Sequence, residues 1–100
     1  MNWSVIWLKS ARRELGRAYL KSRIDGCDLD FANAIDRIDA RLARNPTGIG
    51  ESRSEAERIY FDLPVTVQYK LQASKRVVLV CDVRYARSRG TRPPGSDDNS

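Results

Sequence analysis

Arg58, Lys70 and Arg84 fall in three segments that read as strands, and their parity places them on one face with Tyr60, Thr66, Gln68 and Asp82. Three cations on an open sheet face can hold a phosphate, and Tyr60 offers a ring on which a base can stack. A second basic group lies near the N-terminus. Lys9, Arg13, Arg17 and Lys21 stand four residues apart, so a helix aligns them in one strip away from its apolar stripe. Like charges at this spacing oppose the helix by about 0.2–0.5 kcal/mol per pair. The strip is either a solvated face or a contact for nucleic-acid phosphates or an acidic protein segment. Leu20 beside it suits an amphipathic partner. The open sheet face has the same two readings, solvated surface or phosphate grip.

What the chain lacks narrows the chemistry. It has no histidine, which removes Ser-His-Asp and Cys-His catalysis and histidine metal sites. Its two cysteines, Cys27 and Cys81, cannot build a four-ligand zinc site. Cys81 has core parity and reads as a small buried hydrophobe. Cys27 falls between two helices with no base or ligand beside it and reads as an incidental thiol. No metal, cofactor or small-molecule ligand is expected. With no apolar run near the ~20 residues of a membrane span, a cytoplasmic protein with reduced thiols and no membrane contact is expected. The 100 residues allow one domain, and 18 Lys+Arg against 13 Asp+Glu give a net charge of +5. Residues 1–25 hold +4 of it, which favours an acidic or polyanionic partner.

The elements that must carry these residues follow from periodicity. Residues 2–8 read as a strand with Trp3, Val5 and Trp7 on one side, packing residues rather than stacking platforms. Residues 9–21 read as a helix with Ser10 as a candidate cap and Leu8, Ala11, Leu15, Ala18 and Tyr19 as its core stripe. Asp25-Gly26 marks a turn. A second helix is predicted from Asp28 or Asp30 to Arg44, its acidic start and basic end matching the helix dipole, and Asn45-Pro46 stops it. A loop with Gly48 and Gly50 precedes three strands, at 57–63, 65–72 and 76–85, joined by short turns as an antiparallel meander. Odd positions from Ile59 to Val83 form the expected core face. Residues 88–100 hold no large apolar side chain and read as a disordered tail, leaving a domain over residues 1–87. The fold class is α+β: an N-terminal strand, a helical hairpin and a three-stranded antiparallel meander, with the first strand expected to complete a four-stranded antiparallel sheet.

This order of elements, with Trp3-Ser4-Val5-Ile6-Trp7 leading into a helix, the helix end Leu42-Ala43-Arg44-Asn45-Pro46, the Gly48/Gly50 loop, Arg58 opening a strand and the apolar strand Val77 to Val83, resembles the RelE/ParE family of bacterial type II toxin–antitoxin toxins. The resemblance covers residues 2 to about 87 and implies a growth-inhibiting toxin, of the kind tied to plasmid stabilisation, that a cognate antitoxin wraps. In the RNA-cleaving branch it implies an mRNA interferase acting on the ribosome, with Arg58, Arg84 and Tyr85 as catalytic residues and Tyr60 and Lys70 assisting in binding. Tyr85 has core parity and would have to turn outward at the strand end to take part. Some RNA-cleaving relatives carry a His near this Tyr; this chain has none. The alternatives are a DNA gyrase poison of the ParE type and a non-catalytic binding module.

Overall fold

The computed structural model describes residues 2–54 and 56–86. The predicted tail, residues 88–100, and the domain limit at Arg87 lie outside the described residues. The chain runs β1 (Ser4–Trp7), α1 (Lys9–Ile24), α2 (Asp28–Arg44), β2 (Glu51–Ser52), β3 (Glu57–Asp62), β4 (Val65–Gln72) and β5 (Val77–Tyr85). The strands form one five-stranded sheet in the order β1-β5-β4-β3-β2. Both helices cover one face.

Two features correct the expected sheet. The first strand joins it parallel to β5, Ser4 opposite Val77 and Trp7 opposite Val80, not antiparallel. The long crossover through both helices makes this natural, since a parallel pair needs a connection of a dozen or more residues. The glycine loop also supplies a short fifth strand, β2, antiparallel to β3.

Helix α2 forms where predicted. Asp28 and Asp30 lie in its first turn, Arg41 and Arg44 in its last, and Phe31, Ala34, Ile38 and Leu42 are buried. Helix α1 runs three residues further than predicted, to Ile24. It buries only Ala11, Ala18 and Ser22 fully; these small residues let its backbone approach β5. Tyr19, expected in the stripe, is 39% exposed. Ser10 lies inside the helix rather than capping it, and its hydroxyl donates to the Cys81 carbonyl at 3.3 Å. Trp7 packs inward and its Nε1 donates to Asp39 at 3.0 Å, while the Arg76 guanidinium lies 5.0 Å from the Trp3 ring centre.

The core lies between the helices and the inner face of β4 and β5, where Val65, Val67, Tyr69, Val78, Val80 and Val83 are buried. The expected face assignment holds for β4 and fails for its neighbours. Leu63 and Pro64, linked by a cis bond, connect β3 to β4 so that Asp62 opposes Val65, Tyr60 opposes Val67 and Arg58 opposes Tyr69. A two-residue turn sets even positions against odd ones. Arg58, Tyr60 and Asp62 therefore face the helices, and Ile59 and Phe61 face outward, Phe61 49% exposed. The same arithmetic buries Val78 and Val80 instead of Val77 and Leu79. A bulge opposite Gln68/Tyr69 then adds one residue to β5. After it the inward parity changes, so Val83 is buried and Tyr85 packs on the core. Cys81 sits at this irregularity, half-buried rather than in the core.

Candidate functional site

The expected phosphate grip of Arg58, Lys70 and Arg84 does not assemble. Arg58 points to the helix side, where its Nε donates to the Ile49 carbonyl at 3.2 Å and its Nη2 to the Gly50 carbonyl at 3.3 Å. The buried Tyr69 hydroxyl donates to the Pro46 carbonyl at 2.8 Å and shares the Ile49 carbonyl at 3.0 Å. Arg58 and Tyr69 thus hold the 46–50 loop that leads into β2. Gly50 permits the close approach: it has φ +77°, and a Cβ there would meet the Ile59 carbonyl oxygen at 2.7 Å and the Tyr69 hydroxyl at 2.9 Å. Tyr60 has also left the open face. Its hydroxyl meets Arg41 Nη1 at 2.6 Å, beside a two-pronged Arg37–Asp62 bond of 2.9 Å per prong that fastens α2 to β3.

Lys70 and Arg84 stay on the open face. There Lys70 pairs with Glu57 at 3.6 Å and Arg84 with Asp82 at 2.9 Å. A hollow of about 240 Å³ at the Lys70 pair is lined by Glu57, Gln68, Tyr69, Lys70 and Cys81. Burial raises the Cys81 thiol's pKa, with Lys70 opposing that shift, so the sulfur is not a ready nucleophile. The hydrogen bond to Asp82 raises the pKa of Arg84, keeping it a fixed cation.

Tyr85 is turned inward. Its ring meets Phe31 edge-on with centroids 6.1 Å apart, and its hydroxyl donates to Asp25 Oδ2 at 2.9 Å. Burial first, then hydrogen bonding to Cys27 and Asp25, raises its pKa far above the usual tyrosine value. A phenol held neutral in this way is a poor general base at neutral pH. The raised folded-state value gives the sign of a pH effect. This contribution to stability is complete below about pH 10, the unfolded value, and is lost as the pH rises through the folded value. Urea midpoints should hold from pH 8 to about 9.5 and fall above about pH 10, and Tyr85→Phe should flatten that fall. An unchanged slope would place the titrating group elsewhere.

The α1 strip forms as predicted. Lys9, Arg13, Arg17 and Lys21 are all exposed, with Leu20 59% exposed beside them. Arg17 takes up Glu14 at 3.1 Å, one turn before it. The structure adds a neighbour the spacing did not reveal. Arg17 and Lys21 share a cleft of about 310 Å³ with Asp82, Val83, Arg84 and Tyr85 of β5. On the other side of the hairpin, Val5, Ile6 and Trp7 of β1 and Leu15 and Ile35 of the helices line a wide groove of about 560 Å³. It continues over Leu15, Ile35 and Asp36 into a second apolar hollow of about 360 Å³ at Tyr19 and Phe31.

No family model and no curated protein matches the sequence. Solved structures do match the fold. A chain of the toxin–antitoxin complex RelBE2 from Mycobacterium tuberculosis superimposes with a TM-score of 0.66, over 85% of this chain and 99% of that one, at 20% identity. A chain of the chromosomal ParDE toxin–antitoxin system from P. aeruginosa superimposes with a TM-score of 0.62, over 85% and 97%, at 12% identity. The fold is RelE/ParE-like.

On this RelE/ParE-like scaffold the nine residues singled out from the sequence divide three ways. Arg58, Tyr60 and Tyr85 are tied into the helix-side packing. Lys70 and Arg84 lie on the open face, paired with carboxylates. Lys9, Arg13, Arg17 and Lys21 stay in the solvated strip. Among the described residues no cluster of three His, Cys, Asp or Glu side chains could hold a metal ion, and no helix is long and apolar enough to cross a membrane. The joining of α1 to the end of β5, which sets Arg84 beside Arg17 and Lys21, was the feature missed. It depends on β1 stopping four residues into the sheet, a limit that alternation over residues 2–8 does not mark.

Proposed function

We propose that this chain is the toxin of a toxin–antitoxin pair, and that it acts by binding its target, in the manner of a DNA gyrase poison, rather than by cutting RNA. The RelBE2 and ParDE structures that share its fold are both toxin–antitoxin assemblies, which supports an antitoxin as partner. The observation that favours binding over cleavage is the separation of Arg58, Arg84 and Tyr85. A ribonuclease must activate a 2′-hydroxyl, stabilise a phosphorane and protonate a leaving oxygen at one point. Here Arg58 is spent on loop carbonyls, Tyr85 on Asp25, and only Arg84 meets solvent on the open face.

The groove along β1, α1 and α2 is the apolar surface such an antitoxin would cover, with Arg12, Asp36 and Asp39 at its rim. An amphipathic helix fits it, apolar side down. Ribosome-dependent mRNA cleavage is the second reading, favoured by Lys70 and Arg84 remaining on one open face with Gln68 between them.

Inducing the chain in a bacterial host tests both. Growth arrest with gyrase trapped on DNA and intact mRNA is the expected result. Arrest with fragmented mRNA, abolished by Arg84→Ala, would replace binding with cleavage. Unimpeded growth with full-length folded protein present would remove the toxin reading.

A further inference from the structure

The outer face of the helical hairpin carries large apolar side chains that the core does not use. Leu20 and Ile24 on α1 and Leu29 on α2 are 59, 83 and 71% exposed. Leu20 lies two residues from the buried Ala18 and Ser22, and Leu29 two from the buried Phe31. Two residues turn a helix by about 200°, so both leucines point away from the sheet. The Tyr19 and Phe31 rings, 6.1 Å apart, set the relative heights of the two antiparallel helices. At about 1.5 Å per residue, Leu29 then stands within about 3 Å of the height of Leu20, and Asp36 within about 3 Å of that of Arg13.

Charge divides the same face. Residues 9–24 hold six basic side chains and one acidic one, while residues 28–36 hold three acidic side chains and no basic one. Among the described residues, Arg12, Arg13, Lys21 and Arg23 on α1 and Asp28 and Asp36 on α2 enter no ion pair. Gly16 lies in the seam between the helices, beside Tyr19, Ala32 and Asp36. A Cβ there would meet nothing within 4 Å. Nothing inside the molecule therefore calls for glycine at a position where it weakens the helix.

An apolar centre between a basic and an acidic flank is complementary to a copy of itself. Two kinds of two-fold axis would lay one hairpin on another. An axis running across the helices stacks α1 on α1 and sets like charges together. An axis parallel to the helices stacks α1 on the partner's α2 and leaves all heights unchanged. It sets Leu20 and Ile24 against the partner's Leu29 and Arg13 against the partner's Asp36, and makes each contact twice.

We propose that two copies of this chain pair through their hairpin faces about an axis parallel to α1 and α2, giving a four-helix layer between two sheets. Gly16 lets the partner's α2 come close. The face is about 24 Å long and two helices, or about 20 Å, wide, so it covers roughly 500 Å² per copy. That is the lower end for a specific interface and makes the dimer reversible. An anionic lipid surface fits less well, because the acidic start of α2 flanks the same leucines. The groove along β1 is a separate surface, with none of Leu20, Ile24 and Leu29 in its lining.

Sedimentation equilibrium of the full chain, from about 10 μM to about 1 mM, tests the pairing. The mass should rise from 11.4 kDa toward twice that value, with concentration-dependent amide shifts at Leu20 and Leu29. Leu20→Asn with Leu29→Asn should leave a monomer throughout, its melting temperature held because both side chains are exposed. Gly16→Gln should raise the melting temperature and loosen the dimer. Arg13→Glu alone and Asp36→Arg alone should each weaken the dimer about tenfold, since symmetry counts the contact twice, and the double variant should recover it. A single mass of 11.4 kDa at every concentration overturns the proposal. So does a dimer that survives the paired leucine change or is as tight in Gly16→Gln as in the parent. A tighter dimer in Arg13→Glu would put α1 on α1 and overturn the choice of axis. Binding to vesicles of phosphatidylglycerol by a chain that stays monomeric would overturn the choice of occupant. None of these measurements uses a target or an antitoxin, so the dimer and the toxin reading fail separately.

Discussion

Phe31→Ala is expected to cost about 3–5 kcal/mol, the usual loss for a fully buried phenylalanine. Phe31 is 2% exposed in the first turns of α2 and lies between two rings, Tyr19 and Tyr85, each 6.1 Å away. For a domain whose total stability is of order 5–15 kcal/mol, this is a large share. Urea unfolding should show it as a lower midpoint. The same variant should bring the Tyr85 phenol back toward its ordinary value in an ultraviolet titration, since burial is the first cause of its elevation. A loss under about 1 kcal/mol would mean that the surrounding side chains collapse into the space.

Arg58→Ala is the second large effect, and it separates two roles for one residue. If Arg58 works as the structure places it, the variant loses about 1–3 kcal/mol, because the Ile49 and Gly50 carbonyls lose a charged donor. Arg58→Lys should recover little of that, because an ammonium cannot reproduce a fork that bonds two successive carbonyls from Nε and Nη2. Hydrogen exchange should quicken in the 46–52 segment in both variants. A catalytic Arg58 would give the opposite pattern, with RNA cleavage lost and the urea midpoint unchanged.

The sequence showed the elements more clearly than their faces. Helix α2 was plain because its apolar spacing, acidic start, basic end and Pro46 agree. Strand β4 was plain because its odd residues are apolar and its even ones polar throughout. In β3, Ile59 and Phe61 alternate with Arg58, Tyr60 and Asp62, so hydropathy alone puts the wrong set inside. The Leu63-Pro64 turn held the correcting signal, because a two-residue link sets even positions on β3 against odd ones on β4. In β5 the run Val77 to Cys81 is apolar on both parities, so nothing in it marks the bulge. That one added residue keeps Tyr85 on the helix side, where its core parity in the sequence had put it, and apart from Arg84 on the open face. The α1 strip needed only helical spacing, and it formed.

The parallel pairing of β1 with β5 also has a consequence in time. Ser4 and its partner Val77 are 73 positions apart, so at the usual 5–20 residues per second a ribosome takes roughly 4–15 s to make the second after the first. Until then Trp3, Val5 and Trp7 have no strand to lie against. Neither the groove beside β1 nor the cleft beside β5 exists on a nascent chain. A protein that recognises either surface must therefore wait for an almost finished molecule, and one translated at the same moment reaches its target only after β5 has closed the sheet.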